Sequence, residues 1–501
     1  MKKTILFIAF FVVIFYSNAQ PIFIKDSIKN YIEKGLKDWN IPGLAIAIVK
    51  DGKIEMMQGF GVADISTQKP VTEKTLFMVA SNSKLFTGTA LAQLEYNKKL
   101  SLNDKIVQYF PDFKLYDKNA TEMVTIKDML GHKIGTKTFQ GDFSFWDANI
   151  SRAEVMYKMR FLKPIGVFRQ DYGYCNSCFL SAGEVIPKVT GKPWEVYVYD
   201  SIIQPLGMNS TAVLSRNMEK MNQPATPYTT SFTNAIASLP YDNIDNIAPA
   251  ASIVSNVQDM SKWLIMQLDS GKYNGRKIIE WPVIRKTRDV ITLLGSRKNG
   301  ASNFMGYGLG VFVKDYYGKQ VYWHTGGAFG FVSNTCFIPE ERLGICILTN
   351  QDNQNFFEAL RLQIIDAYLN QPFVHKSEQM LPSHNASLKK SQEEIDGWRS
   401  RIKGQKPVLD IASYVGTYHH ELYGKIEITQ INTGLKIVFK SHDNLSATLH
   451  YMDNHEWLLT YDNIVYGIFP TKFTLQNNKV MAVEIKACDF VEYDSYIFNK
   501  Q

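Results

Sequence analysis

The stretch Phe77-Met78-Val79-Ala80-Ser81-Asn82-Ser83-Lys84-Leu85-Phe86 places a hydroxyl and an ammonium three residues apart at the head of an apolar, helix-like run that extends to Leu94. Positions i and i+3 share one face of a helix. Lys84 therefore lies beside the Ser81 oxygen, where it can depress the proton affinity of the hydroxyl and receive or relay its proton. That is the arrangement of a serine nucleophile with a lysine partner. The apolar face from Phe86 to Leu94 predicts that this helix is buried centrally.

Upstream of it, residues 25–38 read as an amphipathic helix and 44–49 as a continuous apolar strand, which Asp51-Gly52 turns back into 54–60 as a hairpin. Downstream, residues 105–300 mix helical runs with long polar loops, including a helical start near Thr125 and a helix over 257–267. Strands return at 308–313, 320–323, 332–338 and 343–349, and a helix follows at 356–369. Strands and helices at both ends, with a helical insert between, predict an α+β fold: one antiparallel sheet, flanked by helices and completed by both ends of the domain.

Residues 371–410 lack a strong apolar period and contain Pro372, Pro382, paired charges and Gly404, which predicts a linker with one short helix. From 411 to 501 the pattern changes to short segments of period two, at 426–428, 435–439, 445–449, 457–461, 465–469, 480–485 and 493–498. Such spacing predicts a small all-β domain, most simply a closed antiparallel barrel. The expected division is thus 1–19 leader, 20–370 main domain, 371–410 linker and 411–501 barrel.

The leader reads as a signal peptide: Met1-Lys2-Lys3 is basic, 5–15 is almost wholly apolar, and Ser17-Asn18-Ala19 supplies small residues before a mature start at Gln20. An exported protein, periplasmic or extracellular, is expected. No later run approaches eighteen apolar residues, so no integral membrane segment is expected after signal removal. The formal charge of +7 falls to +5 once Lys2 and Lys3 leave, and the remaining lysines are interspersed with acids, which argues against nucleic acid as a partner. The five cysteines, Cys175, Cys178, Cys336, Cys346 and Cys488, are too few and too scattered for a disulfide scaffold. Cys175 and Cys178 have the spacing of a redox motif, yet buried apolar thiols fit their surroundings better. His419-His420-Glu421 lacks further ligands at a metal-site spacing. No P-loop, dinucleotide fingerprint or HExxH helix is present in the sequence, so no cofactor and no metal is expected.

Two further elements carry chemistry. Gly173-Tyr174-Cys175-Asn176 leads into a helical run; a tyrosine phenolate stabilised by a lysine can act as a base, and an asparagine amide can orient both the lysine and a substrate carbonyl. Val321-Tyr322-Trp323 enters His324-Thr325-Gly326-Gly327, where small residues let backbone N–H groups approach a ligand. Taken singly, each has an ordinary structural reading: a core tyrosine with a capping asparagine, and a histidine before a turn.

Together, Ser81-Asn82-Ser83-Lys84, Tyr174-Cys175-Asn176 and His324-Thr325-Gly326 resemble the serine β-lactamase and penicillin-binding protein superfamily, in its branch of class C β-lactamases and type B D-alanyl-D-alanine carboxypeptidases. The resemblance covers roughly residues 25–370 and includes Thr125-Ile126-Lys127-Asp128-Met129-Leu130-Gly131-His132, although Lys133-Ile134-Gly135 stands where the family usually has a Ser-Gly pair. Residues 411–501 are similar to a lipocalin-like domain appended to some members, with Tyr414-Val415-Gly416-Thr417-Tyr418 and Tyr423-Gly424 as signatures. The resemblance implies that Ser81 is the nucleophile, Lys84 its activating lysine and Tyr174 the general base and later acid. Asn176, His324 and Thr325 would orient the substrate, and the backbone N–H groups of Ser81 and Gly327 would form the oxyanion hole. His324 stands where class C β-lactamases carry lysine. The expected activity is amide hydrolysis through an acyl-enzyme, on a small D-amino-acid-containing peptide of the D,D-carboxypeptidase or D-aminopeptidase type. Carboxylesterase, β-lactamase, and a catalytically silent peptidoglycan-binding or regulatory protein stay open as alternatives.

Overall fold

The computed structural model describes residues 20–233 and 235–501, and the expected leader, 1–19, lies outside the described residues. Strand Gly43–Lys50 organises the first part. Its alternate side chains enter two different cores: Ala45, Ala47 and Val49 face one, and Leu44, Ile46 and Ile48 face the other. A strand buried on both faces carries a continuous apolar run, as this one does. Asp51 and Gly52 take positive φ of 53° and 76°, the geometry of a tight hairpin turn, and return the chain as Lys53–Asp64.

The last strand of the domain, Leu343–Thr349, pairs antiparallel with the first, with Ile46 opposite Ile347. The result is one nine-stranded sheet in the order Thr292–Gly295, Met305–Tyr307, Phe312–Tyr316, Lys319–Ala328, Phe331–Ile338, Leu343–Thr349, Gly43–Lys50, Lys53–Asp64, Lys69–Pro70. Helices Ile28–Asp38 and Phe356–Tyr368 cover the Leu44/Ile46/Ile48 face. Helices Ser83–Tyr96 and Val257–Leu268 and the rest of the helical insert cover the other. This is the expected α+β architecture, with both ends of the domain in one sheet.

One expected strand is absent at 308–311. Gly310 has φ 84°, and a Cβ on it would lie 2.2 Å from the Lys84 carbonyl oxygen, while a Cβ on Gly88 would lie 2.0 Å from that of Leu309. The glycines there serve a close approach of loop to helix and not a strand.

The segment expected to be a linker with one short helix carries a 25-residue helix, Lys376–Ser400, of which only Ser377 and Ile395 are buried. Trp39 Nε1 donates to Ser377 Oγ at 2.8 Å at its start, and Arg401 at its end pairs with Asp453 and Glu456 of the C-terminal domain. A helix that bridges through solvent needs no apolar stripe, so periodicity could not reveal it. Beyond it, eight strands from Gly416–His420 to Tyr496–Lys500 form a closed barrel, sealed where Tyr418 and His419 pair with Lys500 and Asn499. The strand expected at 465–469 is broken by Gly467, φ 113°, into a turn and a strand that begins at Ile468.

Candidate active site

Ser81 sits in a single 3-10 turn, Ala80–Asn82, that runs directly into helix Ser83–Tyr96. Ala80 before it has φ 46°, a strained conformation for a residue with a Cβ. The turn is held from both sides: Asn82 Nδ2 donates to Ser333 Oγ at 2.7 Å, and Ser333 Oγ donates to the Val79 carbonyl at 2.7 Å.

Lys84 is wholly buried and donates to three oxygens, Ser81 Oγ at 3.1 Å, Asn176 Oδ1 at 2.7 Å and Ala250 O at 2.9 Å. Burial lowers its pKa from 10.5 to about 7, against the opposing pull of Asp142 and Cys175. A neutral amine keeps two N–H donors, which Asn176 and Ala250 accept, and its lone pair then points at Ser81 Oγ.

Tyr174 and Asn176 enter from a loop ending in helix Asn176–Gly183. Tyr174 lines the same cleft as Ser81, and the Lys84 Nζ lies 4.7 Å from the centre of its ring. Burial nevertheless holds the phenol well above its ordinary pKa. The sequence expectation of a phenol acidified by Lys84 therefore gives way to a neutral phenol that can pass a proton but does not rest as an anion. His132 stacks on Tyr174 with ring centroids 4.4 Å apart, and its Nδ1 accepts the Cys175 N–H at 3.0 Å. Cys175 and Cys178 are buried and unpaired, as are the other three cysteines.

His324 lies on strand Lys319–Ala328, with Nδ1 2.7 Å from the Thr325 carbonyl and Nε2 3.1 Å from Tyr307 Oη. Nδ1–H donates to the carbonyl, so Nε2 accepts from the tyrosine. Burial and the nearby Lys84 push its pKa down to about 3. With both nitrogens engaged and the ring neutral, His324 does not offer the positive charge that pairing with a terminal carboxylate needs. Thr325 Oγ1 accepts from Asn334 Nδ2 at 2.9 Å and borders the cleft. At the next position a Cβ on Gly326 would lie 2.1 Å from the Val79 carbonyl oxygen and 2.9 Å from Ser81 N, so only glycine lets the strand pass against the Ser81 turn. A Cβ on Gly327 would meet the Phe490 ring at 2.7 Å.

The structure thus brings Ser81, Lys84, Tyr174, Asn176, His324, Thr325 and Gly327 to one place, and all but Lys84 line a cleft of about 800 Å³. Its remaining wall is mainly apolar, with Phe139, Trp146, Leu293, Met305 and Phe312 from the first domain and Phe490 and Tyr493 from the barrel. Asp171 is the one charged side chain among the described residues lining it. The barrel residues were not legible in the sequence. Phe490 and Tyr493 lie between Asp489, Glu492 and Asp494 in a loop without a motif, and only the fold sets them over Ser81. Tyr307, the partner of His324, likewise carries no signature.

The chain matches the family model described as Beta-lactamase over residues 28–369, and a model described as a domain of unknown function (DUF3471) over residues 400–498. Among curated proteins it is 26% identical over 352 residues to Protein flp of Staphylococcus aureus (strain MRSA252), a match covering 68% of this chain and 66% of that protein's length. It is 24% identical over 440 residues to the Unguisins hydrolase ungD' of Aspergillus campestris, covering 79% of this chain and 76% of that protein. Among solved structures, the octameric penicillin-binding protein homologue from Pyrococcus abyssi superposes with a TM-score of 0.62 at 20% identity, over 94% of this chain and 99% of that one. The fold, catalytic-type domain and barrel together, is that of penicillin-binding-protein-like serine hydrolases.

Proposed function

The chain belongs to the Beta-lactamase family, and from that premise we propose that it is a serine hydrolase that cleaves esters or amides with a neutral, bulky, apolar acyl group through an acyl-enzyme on Ser81. The observation that carries the reading is the threefold contact of Lys84, which joins Ser81 Oγ to Asn176 and the Ala250 carbonyl in a water-excluded pocket. In the neutral amine, the lone pair accepts the Ser81 proton as Oγ attacks the carbonyl carbon. The tetrahedral oxyanion takes the backbone N–H groups of Ser81 and Gly327, a donor pair worth several kcal/mol in such transition states. Tyr174 gives its phenol proton to the leaving group and the Lys84 ammonium replaces that proton, so that both groups are restored. Water, losing its proton to the neutral Lys84, then attacks the acyl ester, and the acid leaves as Ser81 Oγ takes the proton back.

The wall of the cleft supports a reading of the substrate class. Phe139, Trp146, Phe312, Phe490 and Tyr493 favour an aromatic or branched apolar group, and the neutral His324 supplies no anchor for a free carboxylate. This favours esterase-type substrates over the D,D-carboxypeptidase type. Asp171 at the cleft supports a second reading, a peptide that presents a free amine. The Aspergillus relative, named a hydrolase of unguisins, supports hydrolysis as the reaction class. Residues 1–19 are proposed as an export signal, so that the substrate is met outside the cytoplasm, and no described helix is long and apolar enough to cross a membrane.

Incubation with a fluorophosphonate, followed by peptide mass mapping, is expected to label Ser81 and to lose the label in Ser81→Ala. Steady-state kinetics on aryl esters of aliphatic and aromatic acids, D-amino-acid amides, D-Ala-D-Ala peptides and nitrocefin are expected to favour the aromatic esters. A preference for substrates with a free carboxylate would refute the assignment of the cleft.

A further inference from the structure

The four-residue turn Asp142–Phe145 faces two domains at once. On one side, Asp142 Oδ2 accepts from Asn176 Nδ2 at 2.6 Å. On the other, the adjacent Phe143 leaves the first domain and enters the mouth of the barrel. Its ring centroid lies between 5.0 and 6.4 Å from those of Tyr423, Phe439, His442, Tyr461, Tyr466 and Tyr496. Phe143 is fully buried and does not line the substrate cleft. A single turn of helix does not hold itself; Asn246 Nδ2 of the first domain donates to the Phe145 carbonyl at 2.8 Å, and the barrel clamps both ends of the turn. Glu492 Oε2 accepts the N–H of Gly141 at 2.6 Å, and His442 Nε2 lies 3.0 Å from the carbonyl of Trp146.

The consequence for the reacting groups follows from hydrogen-bond inventory. Asn176 has one acceptor end and one donor end. As long as Asp142 accepts from the donor end, the amide oxygen must face Lys84. Lys84 then spends an N–H on Asn176 and another on Ala250, and what remains points at Ser81. If the amide turned over, its N–H would compete for the lysine lone pair and withdraw it from Ser81.

We propose that Phe143 is a plug received by the aromatic mouth of the barrel, and that the barrel thereby holds Asp142 against Asn176 and aims Lys84 at Ser81. Asp142 and Phe143 are positioning residues in this scheme, and the role of the barrel reaches past the cleft wall to the proton-transfer pair. The inference rests on the acyl-transfer reading of Ser81 and Lys84.

The test is stopped-flow acylation of Ser81 in the full-length protein by an aryl ester, with the rate at saturation and the half-saturating concentration read separately. Asp142→Ala and Phe143→Ala are expected to slow acylation at saturation by about ten- to a hundredfold, the cost of a small misplacement of a reacting group. Half-saturation should move by no more than about twofold, because neither side chain touches the cleft. Asp142→Asn keeps an acceptor oxygen and Phe143→Leu keeps apolar volume, so each should recover most of the lost rate. Acylation at the unaltered rate in Asp142→Ala, equal loss in Asp142→Asn and Asp142→Ala, or a half-saturation that rises in step with the lost rate would overturn the proposal. Should Phe143→Ala fail to fold, Asp142→Ala decides, since it leaves the aromatic socket intact. Failure of the unaltered protein to label at Ser81 overturns the hydrolase reading and this one with it; normal labelling with unaffected variants overturns this one alone.

Discussion

Acylation of Ser81 should titrate with Lys84. In the unfolded chain the lysine keeps its ordinary pKa of 10.5, and in the folded protein burial lowers it to about 7. The difference amounts to on the order of 5 kcal/mol of penalty on the buried ammonium. Only the neutral amine has a lone pair for the Ser81 proton, so the acylation rate should rise with pH, reach half its plateau near pH 7, and fall about tenfold for each unit below. The linkage has a definite sign. Between about 7 and 10.5 the unfolded state binds a proton that the folded state does not, so the Lys84 contribution to stability rises with pH across that window, and its penalty is present in full below it. Two neighbours cannot mimic this profile, since the His324 pKa is pushed down to about 3 and that of Tyr174 lies well above its ordinary value, whereas burial holds the Asp142 carboxyl well above the usual carboxylate range. Glu492 and Cys175 also titrate at about 7, so substitution has to assign the inflection. The assay is single-turnover acylation by an aryl ester from pH 5 to 9 in the unaltered protein, Lys84→Met, Glu492→Gln and Cys175→Ser. The midpoint should survive in Glu492→Gln, move somewhat lower in Cys175→Ser, which removes an upward pull on Lys84, and vanish, together with most of the rate, in Lys84→Met. A flat profile in the unaltered protein, or an inflection that persists in Lys84→Met, would refute lysine as the proton acceptor.

Removing the phenol in Tyr174→Phe should lower acylation by about a hundred- to ten-thousandfold while leaving the midpoint near 7 in place, measured in the same experiment; a near-normal rate would move the leaving-group proton to another carrier. The carboxyl of Glu492, buried against the Gly141 turn, is pushed up from 4.5 to about 7. The folded state therefore binds the proton more tightly, and stability from this group falls as pH rises from about 4.5 through 7, by at most on the order of 3 kcal/mol. Urea unfolding of Glu492→Gln should lack that part of the pH dependence, and an unchanged dependence would refute the assignment. Phe490→Ala opens the barrel side of the cleft, so it should raise the KM of aromatic esters more than that of acetyl esters; an equal effect on both would place the ring outside the substrate's reach.

The parts of the site that could be read in the sequence are those in which neighbouring residues act together. Ser81 and Lys84 are one helical turn apart, Tyr174 and Asn176 flank one residue, and His324 to Gly327 run along one strand, so local geometry alone sets each group. The central strand was legible for the same reason: a residue buried on either face must be apolar, and Leu44 to Val49 is. Contacts made across the fold left no local trace. Asp142, Phe143, Glu492 and Phe490 sit in unremarkable loops and short turns, and nothing in their spacing tells that one domain reaches into the other. The 25-residue helix before the barrel was hidden by the opposite cause, a polar surface on nearly every side.

That asymmetry bears on how the site keeps its chemistry. Ser81 and Lys84 need only the first domain to stand side by side, but in the proposed mechanism the direction of the lysine lone pair depends on which way one amide faces. That orientation is decided by Asp142, on a turn whose own backbone is held by Glu492 of the barrel. A misplacement of the turn would leave Ser81 and Lys84 in contact and still withdraw the proton acceptor from the hydroxyl. In the proposed mechanism the motif supplies the groups that react, and the docking of the second domain sets the geometry in which they do.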